Sequence, residues 1–122
     1  MVDHRVMLGR TGEQIAGEYL SAHGYDILHR RYRAARKEID LIAREGRTVI
    51  FVEVKTNTSG NFGPPETWVT PRKQQAIIRA ASAYISAHGD AADDYRFDVI
   101  GVTLRHGRPE VHHIKGAFDA GI

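Results

Sequence analysis

The sequence has no cysteine and only four prolines among its 122 residues. The first absence excludes a disulfide framework and thiolate metal sites, and it fits a reducing compartment. No apolar run approaches the ~20 residues that a membrane-spanning helix needs, and the opening stretch "MVDHRVMLGRTGEQ" lacks the apolar segment of a signal peptide. The expected location is therefore the cytoplasm, with no membrane partner. An excess of one charge is missing too: 17 Lys and Arg against 15 Asp and Glu leave a formal +2, too little to imply a polyanion partner by its sum. Repeats and low-complexity tracts are absent.

What is present is the make-up of an ordinary globular chain, 42% apolar and 26% charged, of a length that suits one domain over residues 1–122. The distribution of charge says more than its total. Basic residues gather in "HRRYRAARK" (29–37) and "PRK" (71–73), and acid gathers in "DAADD" (90–94), which reads as a solvated loop.

Periodicity predicts a first helix over "TGEQIAGEYLSAHG", capped by Thr11 and closed by Gly24. "YDILHRRYR" reads as an edge strand, and "EIDLIAREGRTVIFVEVKT" as a hairpin joined through Glu45, Gly46 and Arg47. After a polar loop comes the clearest element, a helix with Thr70 as N-cap, Pro71 at its first position and Gly89 at its end. Two further strands flank a predicted turn at His106 and Gly107. The order αβββαββ implies an α/β fold, a mixed five-stranded sheet flanked by helices, with a parallel crossover through the second helix.

The stretch "FVEVKT" then poses a problem, because a buried strand normally excludes ionisable groups unless something offsets their desolvation. Alternation puts Phe51, Glu53 and Lys55 on one face and Val52 and Val54 on the other. On the partner strand Asp40 faces the same way when the hairpin loop has two or four residues, opposite Glu53 or Phe51; a loop of three breaks the alignment. Two carboxylates held together repel unless a divalent cation such as Mg²⁺ lies between them. Asp40 and Glu53 are the expected metal ligands, with the Val54 carbonyl as a further one, and Lys55 would face the attacking water and the charge developing on a phosphate.

Glu13 lies at the margin of the first helix's apolar stripe and can reach the sheet, whereas Glu18 points away. Lys73 lies at the N-terminus of the second helix, where an anion is favoured. A self-satisfied salt-bridge network uses the same residue types. Asp98 reads as a structural, hydrogen-bonded acid. His112 and His113 point to opposite faces and read as exposed, and Phe62 and Trp68 read as loop anchors rather than base-stacking platforms.

Taken in order, "TGEQIAGEYLSAHGYDILHRRYR", "EIDLIA", "FVEVKT", "FGPPE", "RK" and "RFDVIGV" resemble the YraN-like family, over about Gly9 to Ile114. That family is assigned to the restriction-endonuclease-like superfamily, whose signature of an acid on one strand followed by Glu-x-Lys on the next matches Asp40, Glu53 and Lys55. Glu13 matches a helix acid that some of its nucleases add. The resemblance implies a nuclease core related to archaeal Holliday junction resolvases, which cut branched DNA as homodimers with Mg²⁺. Lys37 stands where the family commonly has glycine, and "AARK" replaces a glycine-rich turn. The expectation is a Mg²⁺- or Mn²⁺-dependent endonuclease acting on DNA, with Lys73, Arg72, Arg30, Arg31 and Arg33 holding phosphates. The alternative is a non-catalytic nucleic-acid-binding module of the same fold acting through a partner.

Overall fold

The structure, a computed structural model, describes residues 4–105 and 108–122. Helix α1 (His4–Ala22) precedes strands β1 (Asp26–Ala34), β2 (Lys37–Glu45) and β3 (Thr48–Asn57). A single 3₁₀ turn (Pro65–Thr67) leads into α2 (Pro71–His88), which is followed by β4 (Asp94–Thr103) and β5 (Glu110–Phe118). The sheet is open and runs β1-β2-β3-β4-β5, antiparallel except for the parallel β3–β4 pair that the α2 crossover creates. This is the element order expected from the sequence. The expected His106–Gly107 turn lies outside the described residues. Among the described residues no helix is long and apolar enough to cross a membrane.

Helix α2 forms as its sequence signals require. The Thr70 side chain accepts the Lys73 N–H at 3.1 Å, Pro71 occupies the first position, and Ile77, Ala80, Ala81 and Tyr84 form the buried stripe. Helix α1 departs from expectation, since it is already helical at His4 and Thr11 lies inside it rather than capping it. No proline precedes Thr11 to stop the helix, and the residue after it serves packing. Gly12 is buried where an added Cβ would sit on the side chain of Thr56. Close approach of α1 to the end of β3 thus outweighs the low helix propensity of glycine.

The hairpins set the register. Ala34 pairs with Lys37, leaving Ala35 and Arg36 as a turn with φ of 51° and 61°, the left-handed pair of a type I′ turn. Glu45 pairs with Thr48, leaving only Gly46 and Arg47 in the second turn. A two-residue loop is thus realised, and it carries Asp40 to the position across from Glu53 rather than Phe51.

Two cores cover the two faces of the sheet. Val49 and Phe51 pack with Ile77, Ala80 and Tyr84 on the α2 side, while Ile50 and Val52 pack with Ala16 and Leu20 on the α1 side. Full burial of a side chain such as Phe51 stabilises by roughly 1.5–3 kcal/mol, so the alternation of β3 is firmly anchored. The next residue on Phe51's face is Glu53, which is thereby delivered beneath α2. On β2 the alternation relaxes, because Ile39 and Ile42 both join the α2-side core.

One expectation is corrected on the far side of the sheet. His112 is exposed, but the His113 side chain is only 5% exposed, with Nε2 2.7 Å from Asp98 Oδ2. The strand alternation was right, and packing of Tyr19 and Tyr25 against the ring covers the face on which His113 lies. Asp98 itself is fully buried and takes Arg96 Nε at 2.8 Å, Arg96 Nη2 at 2.9 Å and the Gly116 N–H at 3.0 Å, the structural role expected of it.

Candidate active site

The last registered pair of the β2–β3 ladder is Leu41↔Val52. Beyond it the Val54 N–H donates to Asp40 Oδ2 at 2.7 Å, so a side chain serves where a backbone carbonyl would serve in a regular ladder. This parting of two strands opens a gap at the sheet, and Asp40 and Glu53 face each other across it. The Glu53 carboxyl is hydrogen-bonded to Asp40 and pushed up to about 9, first by burial and then by Asp40, with Lys73 opposing. At neutral pH the Glu53 carboxyl is therefore held in its protonated form beside Asp40.

A proton and a divalent cation meet the same need here, which is positive charge between two oxygens that otherwise repel. The donor set, two hard carboxylates with the Val54 backbone beside them, fits Mg²⁺ or Mn²⁺ better than a soft metal. Glu13 is placed at the edge of this group. Its carboxyl is raised by burial and then by the charge of Asp40, but its oxygen lies 3.8 Å from Arg31 Nε. Among the described residues no three His, Asp or Glu side chains converge closely enough to hold a metal. Asp40 and Glu53 are thus brought together and Glu13 stands off, whereas Glu18 is exposed and bonded to Gln14, as its helix position implied.

Arg31 owes its position to a strained backbone. It falls between the pairs Arg30↔Leu41 and Tyr32↔Ile39, across from Asp40, at φ 47°. A left-handed backbone costs a residue with a side chain ~1–2 kcal/mol. That cost is borne beside the acidic group, where strain commonly concentrates at working sites.

The lysine that touches Glu53 is not the one on its own strand. Lys73 Nζ, from the first turn of α2, lies 3.5 Å from Glu53 Oε2. Lys55 is exposed, and among the described residues it forms no ion pair. It lines a hollow of about 380 Å³ together with Glu53, Val54, Trp68 and Lys73, free to meet whatever enters.

The residues expected to hold phosphates divide between the two faces. Arg72 and Lys73 lie together at the start of α2. Arg30 lies over α1, where a Cβ on Gly17 would come within 2.6 Å of its guanidinium, and Arg31 is engaged with Glu13. Arg33 is exposed on β1, paired in register with Glu38. Two cations near Arg72, namely Lys37 and Arg79, were absent from that set. Residues 72 and 79 are two helical turns apart and share a face, a spacing from which Arg79 is legible.

Phe62 and Trp68 are loop anchors, as expected. Their rings lie 4.8 Å apart, the Trp68 Nε1–H donates to the Gly63 carbonyl at 3.0 Å, and both rings cover Gly101, where a Cβ would meet them at 3.0–3.1 Å. They fix the loop that forms one wall of the hollow.

Comparison with known proteins bears on the family. Residues 12–102 match the model of a family described as "Uncharacterised protein family UPF0102". A UPF0102 protein of Geobacter metallireducens is 44% identical over 116 residues, covering 95% of each chain. One from Chlorobaculum parvum is 50% identical over 117 residues, covering 91% of each, and one from Anaeromyxobacter dehalogenans is 43% identical over 117 residues, covering 96% of this chain and 87% of its own. These relatives are named for the family alone.

Proposed function

This chain belongs to the protein family UPF0102, and we propose that it acts as a Mg²⁺- or Mn²⁺-dependent endonuclease that hydrolyses phosphodiester bonds in DNA, on a restriction-endonuclease-like core. The observation that carries the proposal is the Asp40–Glu53 pair itself. A purely structural network surrounds a buried acid with hydrogen-bonding partners, as Arg96, His113 and the Gly116 N–H surround Asp98. Glu53 is treated differently: it is buried against another acid, with only a half-exposed Lys73 in attendance. Such a pair is costly as protein structure and becomes useful when a divalent cation replaces the proton on Glu53.

Asp40 and Glu53 would hold the ion, with the Val54 carbonyl adjacent, and Glu13 would support Asp40 from α1. A bound Mg²⁺ or Mn²⁺ supplies Lewis-acid polarisation of a phosphoryl oxygen and a water of lowered pKa. Lys55, exposed in the same hollow, orients the attacking water and offsets charge on the phosphate. The test is incubation of the protein with labelled linear, flap and four-way DNA in Mg²⁺ and in Mn²⁺. Cut products that vanish with chelator, with Glu53→Ala and with Lys55→Ala are expected. Cleavage that survives Glu53→Ala overturns the proposal.

A further inference from the structure

Three hollows beside α2 adjoin one another through shared lining residues. The first, about 380 Å³, contains Glu53 and Lys55 and is bounded by Thr70 and Lys73. The second, about 280 Å³, shares Thr70 and Lys73 with it and adds Lys37 and Arg72. The third, about 220 Å³, shares Lys37 and Arg72 with the second and ends at Arg79. Shared walls make them one trough. It follows α2 from Thr70 to Arg79, a rise of about 13 Å at ~1.5 Å per residue.

Its charge is one-sided. Among the described residues Glu53 is the only acid lining the three hollows, and it lies at one end. Lys37, Arg72 and Arg79 follow from there, and among the described residues they form no ion pair. A solvated protein face normally intersperses charges of both signs. A row of like charges leading to a buried pair of acids instead suits a ligand that brings repeated negative charge and has one bond to present.

We propose that the trough is a track for one polynucleotide strand, with Lys37, Arg72 and Arg79 neutralising successive phosphates and Lys73 passing the next one to the Asp40–Glu53 pair. The length suits a short run of phosphates, not one alone. Lys73 belongs to both the first and second hollows and already touches Glu53, so it joins track to site. Arg30, which lies over α1, is off this track. The chemistry at the end of the track rests on the function proposed above; the binding does not, because it needs neither metal nor cleavage.

The experiment is fluorescence anisotropy of a labelled 20-nucleotide DNA strand, in chelator, over a series of salt concentrations. The wild type is compared with Lys37→Ala/Arg72→Ala/Arg79→Ala and with a control, Arg47→Ala/Lys115→Ala, at two exposed cations outside the hollows, each checked for folding by circular dichroism. The triple variant is expected to lose tenfold or more in affinity, and its slope of log K against log salt should fall by about 2, or ~0.7 per phosphate contact removed from a single strand. The control variant should stay within twofold of the wild type. Should the triple variant not fold, Arg79→Gln, at an exposed position, should lower the slope by ~0.7.

An unchanged slope, or an equal loss in the control variant, overturns the track. Displacement of the strand by tripolyphosphate at matching concentration also overturns it, and makes the trough a small-polyanion site. Binding with the expected profile but without cut product in any metal sinks the endonuclease and leaves the track standing.

Discussion

Asp40 Oδ2 accepts the Val54 N–H at 2.7 Å while the same carboxyl is hydrogen-bonded to Glu53. One side chain thus closes a strand ladder and forms half of the acid pair, and the two duties separate by substitution. Asn keeps an oxygen that accepts the Val54 N–H, so Asp40→Asn should leave the melting temperature nearly unchanged. Asp40→Ala leaves that donor unsatisfied, a cost of about 1–3 kcal/mol. Both variants should lose metal-dependent cleavage. Thermal melts and cleavage assays on the pair give the answer, and an equal loss of stability in the two would assign Asp40 no ladder role.

Glu53 makes stability depend on pH in a stated direction. Its carboxyl is raised from 4.5 to about 9, chiefly by burial and by Asp40, so the folded protein binds a proton that the unfolded chain releases. That contribution is complete below pH 4.5 and is lost as pH rises towards 9, at up to ~1.4 kcal/mol per pH unit. Melting temperature without metal should therefore fall across this window. Glu53→Gln stays neutral at every pH and should flatten the curve, overtaking the wild type at its alkaline end. Mn²⁺ binding should release about one proton at pH 7, which calorimetry in buffers of differing ionisation enthalpy detects. A melting curve as steep in Glu53→Gln as in the wild type would remove Glu53 as its source.

The two lysines should divide in the same way. Lys73 lowers the Glu53 carboxyl by its charge and hydrogen bond, so Lys73→Met should move the alkaline loss of stability further up in pH. Lys55, exposed and without an ion pair among the described residues, should give a Lys55→Ala protein of unchanged melting temperature whose cleavage rate falls about 100-fold or more. If Lys73→Met alone abolished cleavage and Lys55→Ala left it intact, the water-facing role would pass to Lys73.

How much of this was legible follows from the range of each interaction. Helix α2 carries its signals locally, in Thr70, Pro71 and the Ile77–Tyr84 stripe, and was readable; so was the alternation that sends Glu53 to the side of Phe51. Asp40 was readable only to within two registers, because the hairpin loop is settled by whether Glu45 pairs with Thr48. The Glu53–Lys73 ion pair was out of reach, since strand spacing favours Lys55 and only the packing of α2 over the sheet brings Lys73 closer. The start of α1 was missed for a related reason. Gly12 looks like a weak point in a helix, and its value lies in contact with Thr56, more than forty positions away in the chain. His113 could be assigned to a face by alternation, but that Tyr19 and Tyr25 cover that face is a fact of tertiary structure.

The turn before β2 offers a test that owes nothing to the acid pair. Ala35 and Arg36 both sit at positive φ, 51° and 61°, in a type I′ turn that prefers Asn-Gly. Neither residue suits that backbone, and each costs roughly 1 kcal/mol relative to one that does. Ala35→Asn/Arg36→Gly should therefore raise the melting temperature by several degrees, since ~1 kcal/mol is worth a few degrees in a domain of this size. The turn lies next to Lys37, the first cation of the proposed track after Lys73. A stiffer turn fixes the start of β2, so the same variant should bind the 20-nucleotide strand at least as tightly as the wild type despite losing one positive charge. A variant that melts lower than the wild type would show that Ala35 and Arg36 are not strained, and that the turn geometry described above is wrong.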